Sequence, residues 1–267
     1  MKHVVLYSGG HSSALAAVET VRQYGPENVI LLNHDINPRV EDADIKRFKR
    51  EVATYLGLPI TYANMESVGQ KDHFDVCVDQ KAFKYGMQSS AICTRKLKTE
   101  PFARWLSDQD RDLELVYGFD ETEQKRIVRR TQIMGEQGYR CVYPLTSKIK
   151  LRNIEDVGIR RPDTYKTYRH ANCIGCLKGG RQHWYCVYCL RPDIWHKAKW
   201  AEQKIGYTIL KGTSLSQLEP MFAELKLCQL QPTELIKPQT FWASARRLLA
   251  AEIKNAAPDT AMSESGT

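Results

Sequence analysis

The chain has 267 residues, 42% of them hydrophobic and 26% charged, with a formal net charge of +8 and 8 cysteines. This length allows one large α/β domain or two small ones, and the balance of apolar and charged residues excludes a disordered or fibrous chain. No stretch approaches the roughly 18 apolar residues of a membrane span, and the N-terminus has no signal-peptide pattern, so the chain is expected in the cytoplasm without a membrane partner.

Lys2 to Tyr7 reads as a short buried strand, and Ser13 to Tyr24 as a helix with Leu15, Ala16, Val18 and Val21 apolar. Tyr24-Gly25-Pro26-Glu27 is a stop, because glycine ends helices and proline cannot continue them. Residues 28–35 (NVILLNHD) form a second expected strand, 40–58 a charged amphipathic helix, and 59–65 a third strand. Residues 112–118 and 138–145 read as two more strands, separated by the basic segment 121–137. Strands alternating with helices of this length predict a doubly wound, mostly parallel α/β sheet of about five strands, with helices on both faces.

From residue 146 the pattern changes. NIEDVGIRRP (153–162) predicts a short helix closed by proline, and a stretch rich in cysteine, glycine and aromatic residues follows at 170–196. The expected organisation is an α/β nucleotide-binding domain over 1–145 and a Cys-rich helical portion over 146–254 that covers the site. The helix-like 242–254 reads as terminal packing, and 255–267 as a small, polar, disordered tail.

Ser8-Gly9-Gly10-His11-Ser12-Ser13 lies where strand 1 turns into helix 1, the position at which doubly wound sheets bind anions. Gly9 and Gly10 let the backbone approach a phosphate, and Ser8, Ser12 and Ser13 offer hydroxyls. The stretch is neither a G-x-x-x-x-G-K-[ST] loop nor a G-x-G-x-x-G fingerprint. Cys173 and Cys176 form a C-x-x-C beside Gly175, Gly179 and Gly180, a knuckle typical of metal sites, and Cys186 and Cys189 form a second C-x-x-C. The four together read as a zinc site with a short central loop; alternatively Cys173 and Cys176 join the distant Cys93 in a three-thiolate iron–sulfur site. In that second case Cys186 and Cys189 pack on a buried helix face, His183 and Trp184 are structural, and Cys77, Cys141 and Cys228 are fillers. Arg95, Lys96 and Lys98 beside Cys93, and Arg126, Arg129 and Arg130 after strand 4, are candidate anion ligands or else solvated helix faces. Asp120 and Glu123 are placed to orient them.

These segments occur in an order that resembles the PP-loop ATP pyrophosphatase superfamily, and within it the phosphoadenylyl-sulfate (PAPS) reductase branch. YSGGHSS resembles its S-G-G-x-D-S loop, with Ser12 where aspartate is usual. LLNHDIN (31–37), CTRKLKTEPF (93–102), YGFDETEQKRIVRR (117–130), and YPL followed by NCIGCLKGG are similar to its later segments. The resemblance spans roughly residues 1–180. It implies that Ser8 to Ser13, Asn33, Asp35 and Gly118 bind ATP or PAPS, with magnesium as a companion ion. It further implies that Cys93, Cys173 and Cys176 hold a [4Fe–4S] cluster, zinc remaining the alternative, and that Arg95 and Arg126 act on the phosphates. The implied activity is activation of a substrate by ATP, releasing AMP and pyrophosphate, for sulfur transfer. A sulfur-donor protein and a nucleic-acid acceptor are the expected partners. Reduction of PAPS or adenylyl-sulfate ranks second, because the C-terminal E-C-G-L-H motif of that reaction does not occur and the context of Cys228 does not match it. A non-catalytic zinc-knuckle module that binds nucleic acid is the third reading.

Overall fold

The computed structural model describes residues 1–84, 90–147 and 150–256. It divides into two compact units, Met1–Leu177 and Lys178–Thr267. The division falls inside the Cys-rich stretch, so residues 146–177 belong to the first unit and the boundary lies well beyond 145.

The first unit is built on five strands, β1 (Lys2–Leu6), β2 (Val29–Asn33), β3 (Ile60–Tyr62), β4 (Leu113–Val116) and β5 (Arg140–Val142). They form one sheet in the order β3-β2-β1-β4-β5, and every pairing is parallel. The strands are shorter than the apolar runs that announce them, because the chain leaves the sheet as soon as it reaches the polar residues at the strand ends. Each central strand is apolar on both sides, as a sheet covered on two faces requires. Val5, Leu31 and Val116 point into one core with Leu15 and Val18 of α1 (His11–Tyr24) and Phe48 and Val52 of α2 (Ala43–Leu56). Val4, Leu32 and Leu115 point into the opposite core.

Between β3 and β4 the chain forms α3 (His73–Asp79), then α4 (Ile92–Thr94), a π-helical turn (Arg95–Thr99) and α5 (Glu100–Ser107). Pro101 has no N–H to return to Leu97, which is where the regular ladder is interrupted. Leu106 of α5 and Met134 of α6 (Gln124–Gly135) close the second core. Residues 153–162 give only a 3₁₀ turn, Ile154–Val157, and it is ended by Gly158 in the left-handed region instead of by Pro162. Ile154 and Ile159 are buried in the α1/α2 core.

The second unit holds α7 (Arg181–Leu190), α8 (Pro192–Ile205), α9 (Leu215–Leu227) and α10 (Pro238–Ala256) around an aromatic core of Trp184, Tyr185, Trp195, Phe222 and Phe241. Cys186 is fully buried on the inner face of α7. α10 carries the terminal helix two residues into the segment expected to be a tail; residues 257–267 lie outside the described ones. Among the described residues, no helix is long and apolar enough to cross a membrane.

Candidate functional site

Because all five strands are parallel, their C-terminal ends lie on one edge of the sheet. Strand order runs outward in both directions from β1, so the β1/β4 boundary is the switch point at which such sheets leave a crevice. A cavity of about 560 Å³ lies there, within the usual range for a small-molecule site. The loop after β1, the end of β2 and the segment after β4 line it, together with the π-helical turn and residues 165–173.

The loop is fixed from below. Gly9 has φ +80°, and a side chain there would collide with the stem of Lys49 at 2.8 Å. Lys49 is 1% exposed; its ammonium donates to Glu41 at 2.8 and 3.0 Å and to Asn33 Oδ1 at 3.1 Å. Burial pushes the Lys49 ammonium below its ordinary value and the Glu41 carboxylate opposes that. Asn33 in turn donates from Nδ2 to the Tyr7 carbonyl at the end of β1. One buried lysine thus ties α2, the end of β2 and the loop after β1 into a single support. From the other side, Gly118 sits so close that a Cβ would lie 2.8 Å from the Ser12 carbonyl oxygen and 3.0 Å from the Ser13 nitrogen.

α1 begins at His11, with Gly10 extended at its N-cap and no acidic residue in the first turn. The N–H groups of that turn have no acceptor within the helix, and the helix dipole makes them a positive pole. Ser13 Oγ donates to the Gly10 carbonyl at 2.8 Å, and Ser8 Oγ donates to Ser13 Oγ at 3.2 Å, which orients both hydroxyls at the cavity wall. The His11 N–H is taken by the hydroxyl of Tyr165 at 2.9 Å. His11 Nε2 accepts from the Ile154 N–H at 3.3 Å, so a neutral His11 carries its proton on Nδ1. Burial, aided by Arg161 and opposed by Glu155, lowers this imidazole to about 4. His34 is likewise lowered by burial and donates from Nδ1 to the Ala63 carbonyl.

After β4 and β5, Tyr117, Phe119 and Tyr143 pack as a trio, every pair of ring centroids 5.4 to 6.1 Å apart. Arg126 lies 4.1 Å over Phe119 and Arg130 lies 5.5 Å over Tyr117, so two guanidiniums rest on aromatic faces at the cavity wall. Lys98 and Arg169 add positive charge to the same wall. The carboxylates there are already engaged, Glu41 by Lys49 and Glu123 by Arg126.

Of the residues singled out from sequence, Ser8, Gly10, His11, Ser12, Ser13, Asn33, Gly118, Arg126 and Cys173 line the cavity. Gly9 supports it from behind. Asp35 is exposed and paired with Lys46, and Arg95 is exposed and paired with Glu100; neither is in the wall. Cys93 and Cys176 are half-buried and are not among the lining residues. Burial pushes the Cys173 thiol up to about 11; Lys98 counters the rise, while Cys176 and Cys93 add to it. Glu41, Lys49, Tyr165 and Arg169 have no signal in a local motif, because charged residues on an amphipathic helix and a tyrosine or arginine in a loop read as solvated. Only the glycine at position 9 hints that something must pass close beneath it.

No family model, curated protein or solved structure matches the chain.

Proposed function

We propose that the chain is an adenine-nucleotide-dependent enzyme of the PP-loop, PAPS reductase-like kind, which uses ATP to activate a substrate oxygen for replacement by sulfur. The observation that carries this reading is the cavity at the β1/β4 switch point, which the N-terminal turn of α1, Arg126, Arg130 and Cys173 line together. Phosphates on the first turn of α1 would receive backbone N–H groups and the Ser12 hydroxyl, the Ser8 and Ser13 protons being given to Ser13 Oγ and the Gly10 carbonyl. Arg126 and Arg130, oriented on the aromatic trio, are positioned to neutralise charge that builds on the α-phosphate and pyrophosphate. Lys98 takes the place beside the cavity that Arg95 was expected to fill.

In the reaction so drawn, the substrate oxygen attacks the α-phosphorus and the bond to pyrophosphate breaks. Sulfide-level sulfur then adds at the carbon and AMP leaves with the oxygen. Cys93, Cys173 and Cys176 supply a soft thiolate donor set suited to a [4Fe–4S] cluster or to zinc. Among the described residues no three cysteine sulfurs lie within 4.8 Å of one another. When bound, such a group would lie at the Cys173 edge of the cavity and supply soft-metal or redox chemistry there.

Pyrophosphate release tests this reading. The anaerobically purified protein is expected to bind ATP by calorimetry and to release pyrophosphate when sulfide and candidate acceptors are supplied. Arg126→Ala is expected to weaken nucleotide binding by about 10- to 100-fold, the worth of a charge-assisted hydrogen bond. Sulfite release from PAPS or adenylyl-sulfate with a thiol reductant, and none of pyrophosphate from ATP, would replace this reaction by reduction.

A further inference from the structure

We infer that Cys77 is a fourth thiolate ligand of the metal site assigned above to Cys93, Cys173 and Cys176; the inference rests on that assignment and completes it. Cys77 is fully buried on α3, a helix to which no motif points. Its thiol shares a hydrogen bond with the thiol of Cys93. The backbone explains why they meet. Ala82 N donates to the Cys77 carbonyl at 3.1 Å, and Ile92 N donates to the Phe83 carbonyl at 3.0 Å. An antiparallel bridge joins Lys84 to Ala91, so the chain that leaves Cys77 returns directly to Cys93.

The knuckle between the other two cysteines is touched from the same helix face. Residues four apart on a helix lie one above the other, and His73 is four before Cys77. His73 Nε2 donates to the Gly175 carbonyl at 2.9 Å, in the middle of the Cys173–Cys176 knuckle. Gly175 has φ +70°, the turn that lets this knuckle fold back on itself. One face of α3 therefore touches both the knuckle, through His73, and α4, through Cys77. Three segments far apart in sequence, α3, α4 and the Cys173–Cys176 knuckle, thus meet around α3. Four thiolates leave no iron of a cubane open, so the sulfur to be transferred would arrive on a donor outside the cluster.

The test is metal content of anaerobically purified full-length variants. Cys77→Ser and Cys77→Ala are expected to lose most of the iron and acid-labile sulfide, as Cys93→Ser does, while Cys228→Ser keeps them. Far-UV circular dichroism and thermal melting of the metal-free proteins separate loss of a ligand from loss of fold. A second readout needs no substitution: exogenous azide or sulfide should leave the electron-paramagnetic-resonance signal of the reduced wild-type cluster unchanged. A full complement of iron in folded Cys77→Ser, or a shift of that signal with added ligand, overturns the inference and leaves the three-cysteine cluster standing. Zinc in the wild type that is lost in Cys77→Ser upholds the four-thiolate site and overturns the cluster. Wild-type protein that binds neither metal overturns both.

Discussion

Lys49 shows how much of the site depends on one side chain that never reaches the ligand. It is buried, its charge is balanced by Glu41, and its stem occupies the space that a residue other than glycine would need at position 9. Breaking a buried ion pair from one side leaves an uncompensated charge, which costs about 3–5 kcal/mol. Lys49→Met is therefore expected to destabilise the protein by that order in urea unfolding, and adding Glu41→Gln is expected to restore much of the loss. Equal destabilisation in the single and double variants would show that packing, not charge, is what Lys49 contributes. His11 makes a second prediction, for pH. Its imidazole is lowered by burial from 6.5 to about 4. Above pH 6.5 it is neutral folded and unfolded, and contributes nothing to pH dependence. Between 6.5 and 4 the unfolded chain takes up a proton that the folded one refuses, so stability falls as pH falls, and the loss levels off below 4. The slope stays below about 1.4 kcal/mol per pH unit, because a single imidazole exchanges at most one proton between the two states. His11→Gln keeps an acceptor for Ile154 N–H and cannot titrate; melting temperatures against pH are expected to fall less steeply for it than for the wild type.

At the scale of elements, the strands and α1 were legible because their signals are local. Val4, Val5 and Leu31, Leu32 form apolar runs bounded by glycine or polar residues, and Gly25-Pro26 stops the helix where the sequence says it must. The elements between β3 and β4 were not. α3 has seven residues, too few for a helical period to stand out, although Asp72 and Asp75 form a capping box at its start. The π-helical turn has no local pattern at all; it follows from the neighbouring proline and from packing. The wall contributed by residues 165–173 depends on a fold-back across more than 150 residues, as the Tyr165–His11 bond shows, and no spacing rule reports such a distance. Asp72 supplies the element-scale prediction. Asp72→Ala removes the cap from α3 and is expected to cost about 0.5–2 kcal/mol in thermal unfolding. Because α3 bears His73 and Cys77, the proposed metal site would be expected to yield its metal to a chelator more readily in the same variant. An unchanged melting temperature would mean that α3 is held by its buried face alone.

For the molecule as a whole, the parallel α/β sheet with helices on both faces follows from the alternation in the sequence, while the division into units after Leu177 does not. The change of composition near residue 146 marks the end of the strands, not the end of the unit, because Ile154 and Ile159 are still core residues of the sheet domain. Every residue that lines the cavity belongs to the first unit. A non-hydrolysable ATP analogue is accordingly expected to slow amide hydrogen exchange in segments 7–13, 32–36 and 117–130, and not in α7 to α10. Protection confined to the helical unit would place the nucleotide elsewhere.

The strand order has a consequence for how the chain is made. β1 is synthesised first yet ends in the middle of the sheet, between β2 and β4. Once β3 has left the ribosome, one apolar edge of β1 stays open until Leu113 and the rest of β4 emerge. At about 5–20 residues per second that interval is on the order of 3–10 s. Throughout it the nascent chain carries a bare strand edge in its centre, the feature that invites pairing with a neighbouring chain. The exposed edge is Lys2–Val5, so the strand that carries the loop after β1 is held on one side only until β4 arrives.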